Sequence, residues 1–135
     1  KVFVMIDFTK IKETCLYMRD LEMAKLFYHD KLGLPVINFL PDKHLFLKVG
    51  ASVLLIFNPE DSKTKKSPPA HFGGGKQHFA FEVPWKNYEK TRYEISSFGI
   101  SIIEEVEWPS GKKSFYFNDP EGNVLEVVPS EGIWD

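Results

Sequence analysis

Glu126 stands inside the apolar run Asn123-Val124-Leu125-Glu126-Val127-Val128. Burying an unpaired carboxylate is costly, so this side chain is expected to have a partner. His78 opens a second run of strand formers, His78-Phe79-Ala80-Phe81-Glu82-Val83, and Glu13 opens a third, Glu13-Thr14-Cys15-Leu16-Tyr17-Met18. One imidazole and two carboxylates can move protons, or can hold a cation while leaving coordination positions open for a substrate. Each residue also has a plainer role: Glu126 as an exposed strand carboxylate, His78 as a sheet histidine with a hydrogen bond, Glu13 as the partner of Lys12. Strand alternation puts Ala80 and Glu82 on the face of His78, which leaves room beside the imidazole and offers Glu82 as a further acid or base.

The remaining reactive side chains carry weaker signals. His29 falls on a helical stretch next to Asp30 as a surface residue, and His44 starts a strand at a turn. His71 precedes Gly73-Gly74-Gly75 in a segment that reads either as a linker or as a loop able to close over a substrate. The glycine run lacks the strand before it and helix after it that a phosphate cradle requires. No serine sits in a nucleophile elbow, and Cys15 has no neighbour in sequence to lower its pKa, so covalent catalysis is not expected.

The candidates must be held by the elements around them. After the strand at 13–18, Asp20 is a helix N-cap, and Leu21, Ala24, Leu26, Phe27, Tyr28 and Leu32 form one apolar stripe ending at Gly33. Three short strands follow at 35–40, 44–49 and 52–57, separated by turn residues. Residues 58–76, with Pro59, Pro68, Pro69 and the glycine run, have almost no periodicity and read as a linker. The plan then restarts: a strand at 78–83, a helix at 85–98, Gly99, and strands near 100–107, 113–118 and 123–128.

One single-residue indel superimposes the two halves. Glu13 then lies on His78, and Leu55 lies on Glu126. Two copies are too few for a solenoid, so a pseudo-two-fold pair is the expected architecture.

The chain has 135 residues, 43% of them hydrophobic, which suits one compact domain with a core that needs no covalent staples. Twelve Phe, five Tyr and three Trp can furnish an apolar surface for a small organic ligand. The net charge of −2 comes from scattered charges, and the one basic cluster, Lys63-Thr64-Lys65-Lys66, reads as a solvated turn. Nucleic acid is therefore not an expected partner. No apolar run is long enough to span a bilayer, and Lys1–Met5 is too short for a signal peptide, with Met5 a candidate start. The single cysteine suits a reducing cytoplasm, where a soluble protein is expected.

These features resemble the vicinal oxygen chelate superfamily, which includes glyoxalases, bleomycin-resistance proteins and extradiol dioxygenases. The resemblance is carried by Glu13-Thr14-Cys15-Leu16-Tyr17-Met18-Arg19-Asp20-Leu21 with Phe27-Tyr28 and Leu32-Gly33-Leu34. It is carried again by Gln77–Val83 with Phe117-Asn118-Asp119-Pro120-Glu121-Gly122-Asn123-Val124-Leu125-Glu126. It covers nearly the whole chain and implies an α+β fold over residues 1–135: two βαβββ modules, about 11–58 and 77–129, joined by a linker at 59–76. The modules would curl into an open, barrel-like mixed sheet.

The resemblance also implies a divalent metal bound at four positions, Glu13, Leu55, His78 and Glu126. Leucine cannot ligate, which leaves Glu13, His78 and Glu126 as metal ligands, with Glu126 also the candidate catalytic carboxylate. This set departs from the four-ligand lactoylglutathione lyase arrangement and looks more like three-ligand dioxygenases and transferases, except that those usually carry His where Glu13 stands. A carboxylate-rich set favours Mn, Mg or Fe, with Zn or Ni open. The resemblance further implies a homodimer and a metal-dependent enzyme acting on a small, oxygen-chelating organic substrate by lyase or isomerase, dioxygenase or transferase chemistry. The competing expectation is a metal-free, antibiotic-sequestering binding protein whose aromatic groove captures a planar or cationic molecule.

Overall fold

The computed structural model describes residues 6–135, so the Lys1–Met5 opening, with its candidate start, lies outside the described residues. The chain runs β1 (Glu13–Tyr17), α1 (Leu21–Lys25), β2 (Val36–Leu40), β3 (His44–Val49), β4 (Ser52–Phe57), α2 (Pro59–Ser62), β5 (His78–Val83), α3 (Tyr88–Ser97), β6 (Glu104–Glu107), β7 (Lys113–Asn118) and β8 (Val124–Pro129). The strands form two four-stranded sheets ordered β1-β4-β3-β2 and β5-β8-β7-β6, and neither closes into a barrel. The two orders are the same permutation. In each, the first strand runs parallel to the fourth, and the rest are antiparallel.

Register confirms the superposition read from the sequence. Leu55 lies between Cys15 and Phe46. Glu126 lies in the same way between Ala80 and Tyr116. Glu13 and His78 each open a parallel ladder, opposite Val53 and Val124.

Alternation decides which side chains go inward. From β1, β3 and β4 the core takes Leu16, Leu45, Leu47, Leu54 and Ile56, and from β7 and β8 it takes Phe115, Phe117, Leu125 and Val127. Helical Leu21, Ala24, Phe27, Tyr28, Tyr88 and Ile95 join the same cluster, so both halves share one core. Phe27 packs against Phe117, with ring centroids 6.4 Å apart. The opposite sheet faces carry Glu13, Cys15, Tyr17, Phe46, Leu55 and Phe57 in one half and His78, Ala80, Tyr116 and Glu126 in the other.

Asp20 caps α1 as expected, accepting from the Met23 amide at 3.0 Å. The helix then widens into a π-helical stretch, Leu26–Lys31, and ends at Gly33, whose φ of 78° suits a residue without Cβ. The second helix opens as a 3₁₀ turn, Trp85–Asn87, before α3.

Two readings of local structure need correction. Residues 100–103 are not strand: Ile100 turns into the core, and pairing with β7 becomes regular only at Glu104. The linker is not featureless either. Asn58 caps α2, accepting from the Glu60 amide at 3.0 Å, and Pro59 occupies the first turn, where its missing N–H costs nothing. The buried Ser62 hydroxyl donates to the His71 carbonyl and ties the segment back on itself.

Candidate functional site

Four hydrogen bonds to one buried side chain set the start of β8. Asp119 accepts through Oδ1 from the Glu121 and Asn123 amides, both at 2.9 Å. Through Oδ2 it accepts from the Asn123 side-chain amide at 2.8 Å and from the Tyr28 hydroxyl at 2.7 Å. Asn123 passes the constraint on: its Oδ1 accepts from the Gln77 amide at 2.9 Å, and the Val124 amide donates to the Gln77 carbonyl at 2.8 Å. The Asp-Pro-Glu-Gly-Asn turn therefore places Glu126 and, through Gln77, also His78. Gly122 sits in this turn at φ 91°, a conformation that a side chain strains. Gly122→Ala is expected to lower stability by about 1 kcal/mol in urea denaturation, and an unchanged midpoint would contradict this role.

On the face so positioned, the His78 ring nitrogen Nδ1 lies 2.8 Å from the Val124 carbonyl. A carbonyl only accepts, so Nδ1 carries the hydrogen, and in the neutral ring Nε2 keeps its lone pair. Nε2 stands 3.4 Å from Glu126 Oε1. Glu126 is 7% exposed and the His78 side chain 51%, so the pair has a sheltered carboxylate and an open imidazole. Ala80, opposite Glu126 on β5, adds little bulk.

The sequence reading missed the role of a third member of this group. Tyr116 lies directly across β7 from Glu126, and its ring centroid is 6.1 Å from that of His78. Burial first, and then the Glu126 carboxylate, push its phenol above the ordinary value, so it is a proton donor at neutral pH. The signal was available. Counting outward from the Asp119–Asn123 turn, Asn118 meets Val124, Phe117 meets Leu125, and Tyr116 meets Glu126.

Two donors about 2.1 Å from one ion at the tetrahedral angle stand about 3.4 Å apart. The His78–Glu126 spacing matches that value and exceeds the usual length of a charge-assisted hydrogen bond. The fixed tautomer is the one a ligating imidazole needs. These two residues therefore fit a divalent metal as a partial set. Among the described residues, no three His, Cys, Asp or Glu side chains form a group that could hold a metal ion. Glu13 does not join the pair. It is exposed on β1 and lines a separate cavity of about 490 Å³, which β5 also walls through Ala80 and Glu82.

The chain belongs to the Glyoxalase/Bleomycin resistance protein/Dioxygenase superfamily, whose sequence model matches residues 10–127. It is 33% identical to lactoylglutathione lyase from Agrobacterium tumefaciens, with a TM-score of 0.86 over 90% of this chain and 94% of that one. It is also similar to a glyoxalase family protein from Enterococcus faecalis, at 29% identity and a TM-score of 0.66 over 89% and 97% of the two chains. In sequence it is 28% identical to glutathione transferase FosA of Serratia marcescens, over 83% of this chain and 74% of that protein. No described helix is long and apolar enough to cross a membrane.

Proposed function

We propose that the protein is a divalent-metal-dependent enzyme acting on a small organic substrate with adjacent oxygens. His78 and Glu126 of one copy and Glu13 of a second copy would supply the protein ligands of each site. The observation that carries the reading is the His78–Glu126 pair, with Nδ1 anchored on Val124 and Nε2 at 3.4 Å from the carboxylate. Membership of a superfamily whose members commonly use divalent metals and are often dimeric supports it.

When bound, the metal supplies Lewis-acid polarisation of a substrate oxygen. The chain's own groups do the rest. The Val124 carbonyl holds the imidazole in one tautomer, the sheet shelters Glu126 from water, and the Tyr116 hydroxyl donates to a substrate oxygen as negative charge develops there. Leu55 vacates the fourth ligand position. Two of the named relatives are a lyase and a transferase, both with glutathione in their names, and together with Leu55 they favour group transfer to an electrophilic, oxygen-bearing substrate.

Complementation between variants tests the shared site. Glu13→Ala and His78→Ala are each expected to lose Mn²⁺ binding in titrations followed by electron paramagnetic resonance. Co-expressed and purified as a heterodimer through two different tags, they should recover one intact site per pair of chains. Recovery of no site overturns the two-copy reading, and wild-type protein that binds no divalent ion overturns the metal reading itself.

A further inference from the structure

The first sheet has its own version of the site face, and its chemistry is different. Where the second half has Glu126 and Tyr116, the first has Leu55 and Phe46. The His44 ring stacks on Phe46 with centroids 3.9 Å apart and planes within 7°. Phe57 meets Phe46 edge-on at 5.5 Å, and the His71 ring, brought in by the linker, lies 4.8 Å from Phe57. None of these rings belongs to the core cluster, which takes Leu45, Leu47, Leu54 and Ile56 from the same two strands. They wall a cavity of about 350 Å³ whose far side is Pro68 and Pro69, within the roughly 300–1,000 Å³ range of small-molecule pockets.

Hydrogen bonds set what the cavity offers a ligand. His44 Nε2 lies 2.6 Å from Asn38 Oδ1, so Nε2 donates and Nδ1 keeps a lone pair. His71 Nδ1 donates to the Pro69 carbonyl at 2.7 Å, which leaves Nε2 as an acceptor. Burial, and then Lys65, lower the His44 pKa and so favour its neutral, accepting form. The charges at the rim, Lys65 and Asp61, pair with each other at 3.3 Å and give no net attraction for an ion.

We infer that this cavity binds an uncharged, planar aromatic molecule bearing an O–H or N–H group, its ring packed on the Phe46 and Phe57 wall and its donor met by an imidazole nitrogen. Aromatic faces supply area and stacking geometry, and the acceptors select a phenol or a ring N–H over a plain hydrocarbon. The cavity is walled by none of the residues proposed as metal ligands, but Leu55, at the vacated fourth ligand position, is part of its lining, so the test is made on metal-free protein to keep this inference separable from the metal reading.

The test is calorimetric titration of chelator-treated protein with 2-naphthol, 2-methoxynaphthalene, decahydro-2-naphthol and naphthalene-2-sulfonate. 2-Naphthol is expected to bind with one site per chain, and each of the other three about tenfold more weakly. Phe46→Leu, which keeps the side chain apolar, should weaken 2-naphthol about tenfold. The double variant His44→Phe/His71→Phe should abolish the preference for 2-naphthol over its methyl ether. Glu94→Gln, on α3, should leave 2-naphthol binding as it is. Equal binding of decahydro-2-naphthol, an unchanged affinity in Phe46→Leu, or no saturable binding of 2-naphthol would each overturn the inference.

Discussion

Asp119→Ala is expected to destabilise the protein by about 3–5 kcal/mol, the largest effect of any single substitution proposed for this chain. The Asp119 carboxylate is 5% exposed and accepts from four donors, and Asn123, which supplies two of them, is fully buried. Removing it leaves those donors without their protein acceptor, whereas Tyr28→Phe removes one donor and should cost only about 1 kcal/mol. Urea unfolding of the single variants and of the double variant measures this. The two costs should not add, because both changes act on one hydrogen-bond group. A loss below about 1 kcal/mol for Asp119→Ala would mean that water replaces the carboxylate. Since Asn123 also holds Gln77, the variant should further disturb the His78 ring, visible as a changed histidine side-chain resonance in NMR.

Glu126→Leu is expected to abolish divalent-metal binding and yet raise the stability of the metal-free protein by about 1–2 kcal/mol. Glu126 is buried on a central strand among apolar neighbours, and among the described residues the half-open His78 is the one basic side chain within ion-pair distance of it. The protein already shows the alternative, because Leu55 takes the same place in the first sheet at 9% exposure. A leucine there needs no partner, and the His78 imidazole left behind can turn to water. Thermal unfolding in chelator, together with Mn²⁺ titration, reads both halves of the prediction. Lower stability in Glu126→Leu would show that the carboxylate is a structural partner rather than a group retained for its chemistry.

Gly33 and Gly99 each end a helix with positive φ, and the strands around them alternate strongly, so the doubled plan was legible before any coordinates. Pairing Leu55 with Glu126, and Glu13 with His78, followed from that repeat and survives in the ladder registers. That His78 and Glu126 meet was implied by the need of a buried carboxylate for a partner. Other features depend on distant parts of the chain and leave no local trace. Ile100 and Ile102 look like strand residues, but packing against the shared core takes them out of the ladder. The π-helical stretch carries Tyr28, whose hydroxyl donates to Asp119, 91 positions away in sequence. Pro68, Pro69 and His71 resemble any polar linker until the Ser62 hydroxyl and the aromatic face of the first sheet give them a place.

The position of β8 has a consequence for synthesis. Among the described residues it is the one hydrogen-bonded neighbour of β5, and it lies between β5 and β7, so β5 cannot join the β6–β7 hairpin until Val124–Pro129 has been made. The first sheet meets the same requirement at Ser52–Phe57, far earlier on a growing chain. Translation proceeds from the N-terminus, and the first half can acquire its sheet and aromatic wall while β5 still waits unpaired. A chain that stops before Glu126 would thus have one finished sheet, an unpaired β5, an open β7 edge and no imidazole–carboxylate pair. Such a fragment would be prone to aggregate through those edges.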